Sequence, residues 1–370
     1  MTPSSPNRES PGNGDIKDRS KSSEMCDGRF DGGSRPLLID IVICTYNNAA
    51  MLDRVLQRLV AQDASEIPWS VLVVENNCTD DTHHVIDQYL AAGDIPGLRA
   101  VTETTQGLTP ARLRGVRETT APWIAFVDDD CLLDRGWIRA ATDFAIRHSD
   151  AAAFGGRVVP DWGVSPTPFL VRYNWCYAAQ DYESGPRQVE FLVGAGVVIN
   201  RSALIETGWT LKQHLDDRVG RRLISGGDVE IALRLLGTGR PLWFAPDCVI
   251  HHAIPRHRTT VRYLAAMNRR LGASYIFAEA MKATAQTGLG MLVHDTAAEA
   301  ARLPWQVVRV LRGHRSELNF LHGPTASDFL LSACFFVGKL EGLAQLCYLR
   351  LIGKTSFVGC AALEPERHPY

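Results

Sequence analysis

Residues 38–44 have the sequence Leu-Ile-Asp-Ile-Val-Ile-Cys, a nearly continuous apolar run. Residues 71–74 (Val-Leu-Val-Val) and 123–127 (Trp-Ile-Ala-Phe-Val) form two more such runs. Short apolar runs without alternation are typical of strands that are covered on both faces. Between the first two runs, apolar residues recur at helical spacing from Leu52 to Val60. Strands that alternate with helices in this way predict an α/β protein with a doubly wound, mostly parallel sheet, which binds ligands at the carboxyl ends of its strands.

The same criteria assign the rest of the chain and divide it into three regions. The pattern predicts further helices at 79–90, 109–118, 228–236, 259–282 and 327–351, and further strands at 98–101, 151–159 and 189–199. Residues 1–35 have almost nothing to bury and are expected to be a disordered leader. An α/β domain is expected at 36–258 and an appended α-helical region at 259–370.

Composition limits the classes of protein to which the chain can belong. Its 370 residues are 45% hydrophobic and 22% charged, which is typical of a globular protein. The formal net charge of −2 gives no bulk attraction to nucleic acid or anionic lipid. Nine cysteines without a Cys-x-x-Cys pair, and no apolar segment near the N-terminus, favour reduced thiols in the cytoplasm. No nucleic-acid partner is expected.

The C-terminal segment 327–351 has an apolar helical face that three charged residues interrupt. No uninterrupted run of 18 apolar residues occurs, so a clean transmembrane helix is not expected. Two interpretations stand: a helix that packs on its own domain, and an interfacial helix that gives the protein a peripheral contact with a membrane.

Three consecutive acids, Asp128, Asp129 and Asp130, follow directly after the predicted strand at 123–127. Adjacent carboxylates repel one another unless a cation neutralises them. A divalent ion that bridges a diphosphate does so, because hard oxygen ligands suit Mg²⁺ or Mn²⁺. The alternative is an acidic turn in which Asp130 or Asp134 caps the next helix.

The sequence resembles family 2 glycosyltransferases from about Leu38 to Arg258. The similar motifs, in order, are Cys-Thr-Tyr-Asn at 44–47, Val-Glu-Asn-Asn-Cys-Thr-Asp at 74–80, Gln-Gly-Leu-Thr-Pro-Ala-Arg at 106–112, and the acids at 128–130. The resemblance implies a GT-A-type, Rossmann-like catalytic domain. It also implies an inverting transferase that uses a divalent metal and moves a sugar from a nucleotide-diphosphate sugar to a glycan or lipid-linked acceptor. Members of the family often assemble cell-surface polysaccharide on the cytoplasmic face of a membrane.

Position by position, the resemblance implies roles for individual residues. Asp130 and His252 fall at metal-binding positions. The expected nucleotide-sugar contacts are Thr45, Tyr46, Glu75, Arg112, Asp128, Asp129 and Gly196. Glu75 stands where the family usually has Asp, and Gly196 belongs to a small-residue stretch that either lets the backbone approach the donor sugar or kinks a strand.

Asp228, in Ser-Gly-Gly-Asp-Val-Glu at 225–230, falls at the family's catalytic base. A base there takes the acceptor's hydroxyl proton, and the alternative is a helix cap. Glu230 either contacts substrate hydroxyls or reinforces the first helical turn. His251 and Arg258 are further candidates for contact with acceptor or phosphate, whereas a solvated basic loop is the alternative.

Two other functions fit parts of the sequence. A nucleotidyltransferase also places acids near a metal and a diphosphate, but the loop at 44–48 lacks the Gly-rich basic sequence that such an enzyme needs. A non-catalytic protein that binds sugar nucleotides is favoured by Gly227, which replaces the family's first acid.

Overall fold

The structure is a computed structural model that describes residues 38–182, 185–213, 226–282, 290, 292–298, 300–301 and 326–351. The predicted leader at 1–35 lies outside the described residues. The strands are β1 (Ile39–Thr45), β2 (Trp69–Glu75), β3 (Arg99–Thr102), β4 (Trp123–Asp128), β5 (Cys131–Leu133), β6 (Ala153–Trp162), β7 (Arg187–Val189), β8 (Val197–Asn200) and β9 (Leu242–Ile254).

The helices that bear on the site lie mostly between these strands. They are α1 (Ala49–Val60), α2 (Thr82–Ala92), α3 (Leu108–Glu118), α4 (Trp137–Arg147), α5 (Pro168–Arg172), α6 (Arg201–Glu206), α7 (Gly227–Gly237), α8 (Val261–Lys282) and α9 (Ala326–Leu351). Short 3-10 helices occur at Asn174–Tyr177 and Arg256–Arg258.

One mixed sheet organises the described chain, in the order β3-β2-β1-β4-β8-β6-β9-β5, with β7 paired to β9. The four strands from β3 to β4 are parallel, as predicted. From β8 onward the sheet is mixed, because β8 runs antiparallel to both β4 and β6 whereas β6 and β9 are parallel. The α/β architecture is therefore confirmed, and its parallel part brings the ends of β1, β2 and β4 to one edge.

Both faces of the sheet are covered by helices, which explains the continuous apolar runs. In β1, Ile39, Ile41 and Ile43 pack in the core that includes α1 and α4, whereas Val42 packs in the core that includes α3 and α7. This alternation follows from side chains pointing to opposite faces of a strand. The two cores hold the strand ends rigidly, and the loops after those ends form the site.

The interpretation of 189–199 as one strand is wrong. β7 ends at Val189 and β8 begins at Val197, and the two strands pair with different neighbours. Gly196, between them, has a φ of 71°, a left-handed conformation that suits glycine and interrupts an extended strand.

The helices α8 and α9 begin after the α/β region and pack closely against each other. An added Cβ at Gly338 would collide with the carbonyl of Arg269, and one at Gly342 would press on Ala273. The later residue of α9 thus meets the later residue of α8, so the two helices run in the same direction. The described residues belong to one compact unit, and the predicted division at 258/259 remains a prediction.

Helix α9 contains a segment, Ala326–Leu349, that is long and apolar enough to span a membrane, with a mean hydropathy of 1.4. A search for uninterrupted apolar runs misses it because of its charged residues. Two of those residues are partnered in the fold: Asp328 accepts from the Tyr173 hydroxyl at 2.8 Å, and Glu341 pairs with Arg269.

Candidate functional site

A cleft of about 280 Å³ opens at the carboxyl ends of β1 and β4. Its lining comes from the loop after β1, the start of α3, the acids after β4 and the segment after β9. The lining residues are Cys44, Thr45, Tyr46, Asn47, Asn48, Asn76, Gln106, Gly107, Leu108, Ala111, Asp128, Asp129, Asp130 and Arg258. Four predicted nucleotide-sugar contacts, the metal ligand Asp130 and Arg258 thus meet in one cleft.

Asn76 is buried and ties two walls of this cleft together. Its side-chain amide donates to the carbonyls of Glu103 and Thr105, at 2.8 and 2.7 Å. Its side-chain oxygen accepts from the backbone N–H of Gly107 at 2.8 Å. These bonds hold the loop before α3 against the end of β2. The sequence pattern drew attention to the neighbouring Asn77 and Thr79 and missed this role.

The three acids after β4 lie in three different environments. Asp128 is the last residue of β4, and its side chain is 35% exposed. Asp129 turns back and accepts from the Thr45 hydroxyl at 2.7 Å and the Asn48 amide at 2.9 Å. Burial, assisted by the charge of Asp130, raises the pKa of Asp129 to about 7. Asn48 stands at the N-cap of α1, but its side chain bonds to Asp129 and does not cap the helix.

Asp130 is buried among cationic and imidazole groups. Its carboxylate lies 2.9 Å from Arg258 Nη1 and 3.5 Å from His252 Nε2. The other ring nitrogen of His252, Nδ1, lies 2.8 Å from the carbonyl oxygen of Tyr177. A carbonyl only accepts, so Nδ1 carries a proton. Burial opposes a charged ring, but the contact of Nε2 with the Asp130 carboxylate outweighs it and raises the pKa of His252, so a protonated Nε2 donates toward Asp130.

The donor set around Asp130 suits a hard divalent cation. Ligand atoms of Asp128, Asp130 and Cys131 lie within 4.8 Å of one another. Burial raises the pKa of the Cys131 thiol well above its ordinary value, so the thiol stays protonated and is a poor ligand. Carboxylate oxygens from Asp128 and Asp130 are the atoms that fit Mg²⁺ or Mn²⁺, with the His252 imidazole beside them. Neither Asp130 nor Asp134 caps α4, whose start has no side-chain cap.

Asp228 lies in the first turn of α7, with its side chain 32% exposed. It makes an ion pair with Arg112, whose own side chain is only 3% exposed. The other terminal nitrogen of Arg112 lies 3.7 Å from Asp128. Asp228 does not line the 280 Å³ cleft itself. It lines a smaller adjoining cavity with Arg112 and Gly194, and the guanidinium joins it to the acids of the cleft.

For two residues, burial favours the structural alternative that the sequence left open. Glu230 is fully buried and pairs with Arg234 at 2.7 Å, so it reinforces α7 and has no surface for a substrate hydroxyl. An added Cβ at Gly196 would collide with Ile250, so the glycine serves the turn and the core. The neighbouring Gly194 is the one that lies against Asp228.

Three other predicted residues lie away from the expected contacts. Glu75 is 3.3 Å from His83 and is not among the described residues that line the cleft. His251 pairs with Asp134 at 2.9 Å, because successive residues of β9 point to opposite faces. Arg112 likewise does not line the 280 Å³ cleft; it is buried between two carboxylates.

Known proteins resemble both the sequence and the fold. The model of the family "Glycosyl transferase family 2" matches residues 40–208. A glucosyl-dolichyl phosphate glucuronosyltransferase of Haloferax volcanii is 22% identical over 61% of this chain and 72% of its own. Glycosyltransferase AglE of the same organism is 26% identical over 58% of this chain and 66% of its own.

Among solved structures, the mannosyltransferase PcManGT of Pyrobaculum calidifontis, in complex with GDP-Man and Mn²⁺, superposes with a TM-score of 0.56. The match covers 83% of this chain and 87% of that one, at 18% identity, which shows a common fold. The family match covers β1 to β8 and includes the acids of the cleft. Residues 40–208 therefore belong to glycosyltransferase family 2, and the fold is of the GT-A type, so the protein is a glycosyltransferase of the class that uses nucleotide-sugar donors.

Proposed function

We propose that this enzyme binds a nucleotide-diphosphate sugar in the 280 Å³ cleft and transfers the sugar, with inversion, to a hydroxyl of a glycan or lipid-linked acceptor. One observation carries the proposal: a single buried guanidinium, that of Arg112, joins the acids of the cleft to Asp228. In this proposal the donor binds at the acids, and Asp228, on the other side of the Arg112 guanidinium, serves the acceptor.

The nucleoside is proposed to lie against Thr45 and Tyr46, after β1. Tyr46 is 40% exposed in the cleft, and its ring offers a face for a base. Asp129 is proposed to act through Thr45 and Asn48, which it holds in place, so its contribution to donor binding is indirect. The side-chain oxygen of Asn47 accepts from the backbone N–H of Thr79 at 2.6 Å and from the Thr79 hydroxyl at 3.3 Å, and these bonds order the same wall.

The diphosphate is proposed to lie between the acids and Arg258. Asp128 and Asp130 would hold a divalent cation, with His252 as a further ligand. Such a cation, when bound, offsets the negative charge that develops on the leaving diphosphate. The Arg258 guanidinium, which pairs with Asp130, lines the cleft and is placed to donate to a phosphate oxygen.

Asp228 is proposed to be the general base. The acceptor oxygen forms a bond to the anomeric carbon while the bond from that carbon to the diphosphate oxygen breaks on the opposite side. The hydroxyl proton passes to the Asp228 carboxylate, and the nucleoside diphosphate leaves with the bonding electrons. This single displacement inverts the anomeric centre.

The acceptor and location are proposed from the relatives and from α9. One relative is named for dolichyl phosphate, and another, ExoM of Rhizobium meliloti, for succinoglycan biosynthesis; it is 22% identical over 84% of this chain. We therefore propose a role in cell-surface glycan assembly, with the enzyme on the cytoplasmic face of a membrane and the outer face of α9 in contact with lipid.

The direct test compares the wild type with Asp228→Asn. Donor affinity should stay near that of the wild type, and turnover should fall roughly 10²–10⁴-fold, because a general base contributes about that factor. Turnover is measured as nucleoside diphosphate released from UDP-, dTDP- and GDP-sugars with saccharide and polyprenyl-phosphate-linked acceptors. Asp63→Asn, at a side chain that is 67% exposed, is the matched control.

The products separate the competing functions. The proposed enzyme releases UDP, dTDP or GDP, a nucleotidyltransferase makes pyrophosphate, and a non-catalytic binder releases neither. Unchanged turnover in Asp228→Asn removes this carboxylate from the mechanism.

A further inference from the structure

The guanidinium of Arg112 is enclosed by protein groups on three sides. One terminal nitrogen pairs with Oδ1 of Asp228, and the other lies 3.7 Å from Oδ1 of Asp128. Its central carbon lies 5.4 Å from the centre of the Phe126 ring. Only 3% of the side chain is exposed, so direct contact with a nucleotide needs a rearrangement of this packing.

Gly194 confines the same carboxylate from another side. A Cβ at this position would overlap the carboxyl group of Asp228. Gly194 is not among the glycines with positive φ, so its backbone conformation does not require glycine. Glycine is needed at 194 because the Asp228 carboxyl group occupies the space that a side chain would fill. Arg112 and Gly194 together restrict the carboxylate to one position.

We propose that Arg112 is a positioning residue for the base. It holds Oδ1 of Asp228 and sets the distance between the base and Asp128 on the donor side. This inference rests on the proposed function, in which Asp228 is the base. In this proposal Arg112 does not make the nucleotide contact that the sequence predicted but positions the base that deprotonates the acceptor.

The two roles for Arg112 have different kinetic signatures. A nucleotide contact stabilises bound donor, so its loss raises the donor's Kd and KM. A positioning residue leaves donor affinity unchanged and lowers kcat, because misplacing a reacting group by about 1 Å costs on the order of 100-fold in rate. The split between kcat and donor Kd therefore distinguishes them.

The first experiment is a double-mutant cycle with Arg112→Gln and Asp228→Asn. We expect Arg112→Gln to lower kcat about 10–100-fold while the donor's Kd stays within about twofold, measured by calorimetry. In the Asp228→Asn background, Arg112→Gln should have little further effect, because residues that act through each other are not additive. Arg112→Lys, which keeps a cation, should recover part of the loss.

A second variant guards against loss of folding, since Arg112→Gln leaves two carboxylates without this cation. Gly194→Ala displaces Asp228 and keeps every charge. It should lower kcat with an unchanged donor Kd, and its melting temperature should stay close to that of the wild type. Gly136→Ala is the matched control, because no atom lies within 4 Å of the added Cβ.

Two results would overturn the inference. The first is a rise in donor Kd in Arg112→Gln with kcat intact, which makes Arg112 a nucleotide contact. The second is a fall in kcat of equal size in both backgrounds while Asp228→Asn alone still abolishes most turnover. In that case the proposed function stands and only the role of Arg112 fails. Normal turnover in Asp228→Asn would contradict both the proposed function and the role of Arg112.

Discussion

Asp128, Asp129 and Asp130 are adjacent in sequence, yet the fold gives them three different tasks. Asp129 bonds to Thr45 and Asn48 and so fixes the loop after β1. Asp130 faces His252 and Arg258, and Asp128 remains partly exposed beside it. A divalent cation held by the two outer acids would reduce the repulsion between their carboxylates.

At the scale of single residues, we predict that cation binding depends on Asp130 and on only one of the adjacent histidines. Chelation with EDTA should abolish donor binding, and Asp130→Asn and His252→Gln should each raise the half-saturating Mn²⁺ concentration by about tenfold or more. His251→Gln should change it little, because His251 pairs with Asp134. The readout is a calorimetric titration of Mn²⁺ with the donor present. Full donor binding and turnover in EDTA would refute the metal's role.

The sequence allowed the cleft residues to be predicted because they follow strands, and parallel strand ends meet at one edge. It did not show their partners. Arg112 and Asp228 are 116 residues apart, so their ion pair appears only in the folded chain. The orientation of Glu230 away from Asp228 could have been predicted. Residues two apart on a helix are rotated by about 200°, so Asp228 and Glu230 cannot face the same cleft.

At the scale of elements, the contact between α8 and α9 depends on glycines that let two backbones approach. Gly272 lies against the carbonyl of Phe335, and Gly338 against that of Arg269. Lys339 is buried beside them, with its ammonium 4.6 Å from the centre of the Tyr275 ring. Small residues at such a crossing permit a separation that larger side chains forbid. Because α8 follows the site-forming 3-10 helix at Arg256–Arg258, its packing bears on the site.

Gly338→Val is therefore expected to force α8 and α9 apart. Overpacking of a tight contact costs about 1–3 kcal/mol, and we expect the free energy of unfolding to fall by that amount. Urea denaturation followed by circular dichroism measures it. Gly136→Ala, at a position with open space, serves as the control and should be nearly neutral. Equal stability of both variants would show that the close contact of α8 and α9 contributes nothing.

The elements were predictable where periodicity was strong, as in α1, α3, α7 and the parallel strands. The prediction at 189–199 failed because both of its apolar ends are strands, while the residues between them take a turn that depends on Gly196 and its contact with Ile250. Pattern matching over a few residues does not register a partner more than fifty positions away. Pattern matching also cannot predict that β8 is antiparallel, because its partner strands are distant in sequence.

At the scale of the whole molecule, large apolar side chains are exposed at several places in the described residues, and five of them lie on α9. The five are Leu330, Val337, Leu340, Tyr348 and Leu351. Three charged residues of this helix contact protein groups: Asp328 contacts Tyr173, Lys339 contacts Tyr275 and Glu341 contacts Arg269. If α9 crossed a bilayer, these contacts with the rest of the protein would break. The unpaired charges would then be buried in lipid at a cost of several kcal/mol. We therefore favour α9 lying in the plane of a membrane surface.

Exposed arginines on α8 predict that a membrane in contact with α9 is bound more strongly when its lipids are anionic. Arg262 and Arg270 are exposed on the helix that packs beside α9, although the protein as a whole carries a net charge of −2. Basic residues near an apolar helical face increase affinity for anionic lipid by about 1 kcal/mol each. The combination predicts stronger binding to vesicles that contain phosphatidylglycerol than to vesicles of phosphatidylcholine alone.

Cosedimentation of the full chain with both kinds of vesicle tests this prediction, with Val337→Asp/Leu340→Asp as the variant that should lose binding. Ile146→Asp is the matched control, since Ile146 is 63% exposed on α4, far along the chain from the apolar face of α9. The control should bind vesicles like the wild type, and all three proteins should turn over a soluble acceptor at the same rate. If the double variant instead changes a dimer into a monomer in gel filtration, with vesicle binding absent throughout, the outer face of α9 is an interface between copies of the chain and the membrane proposal is wrong.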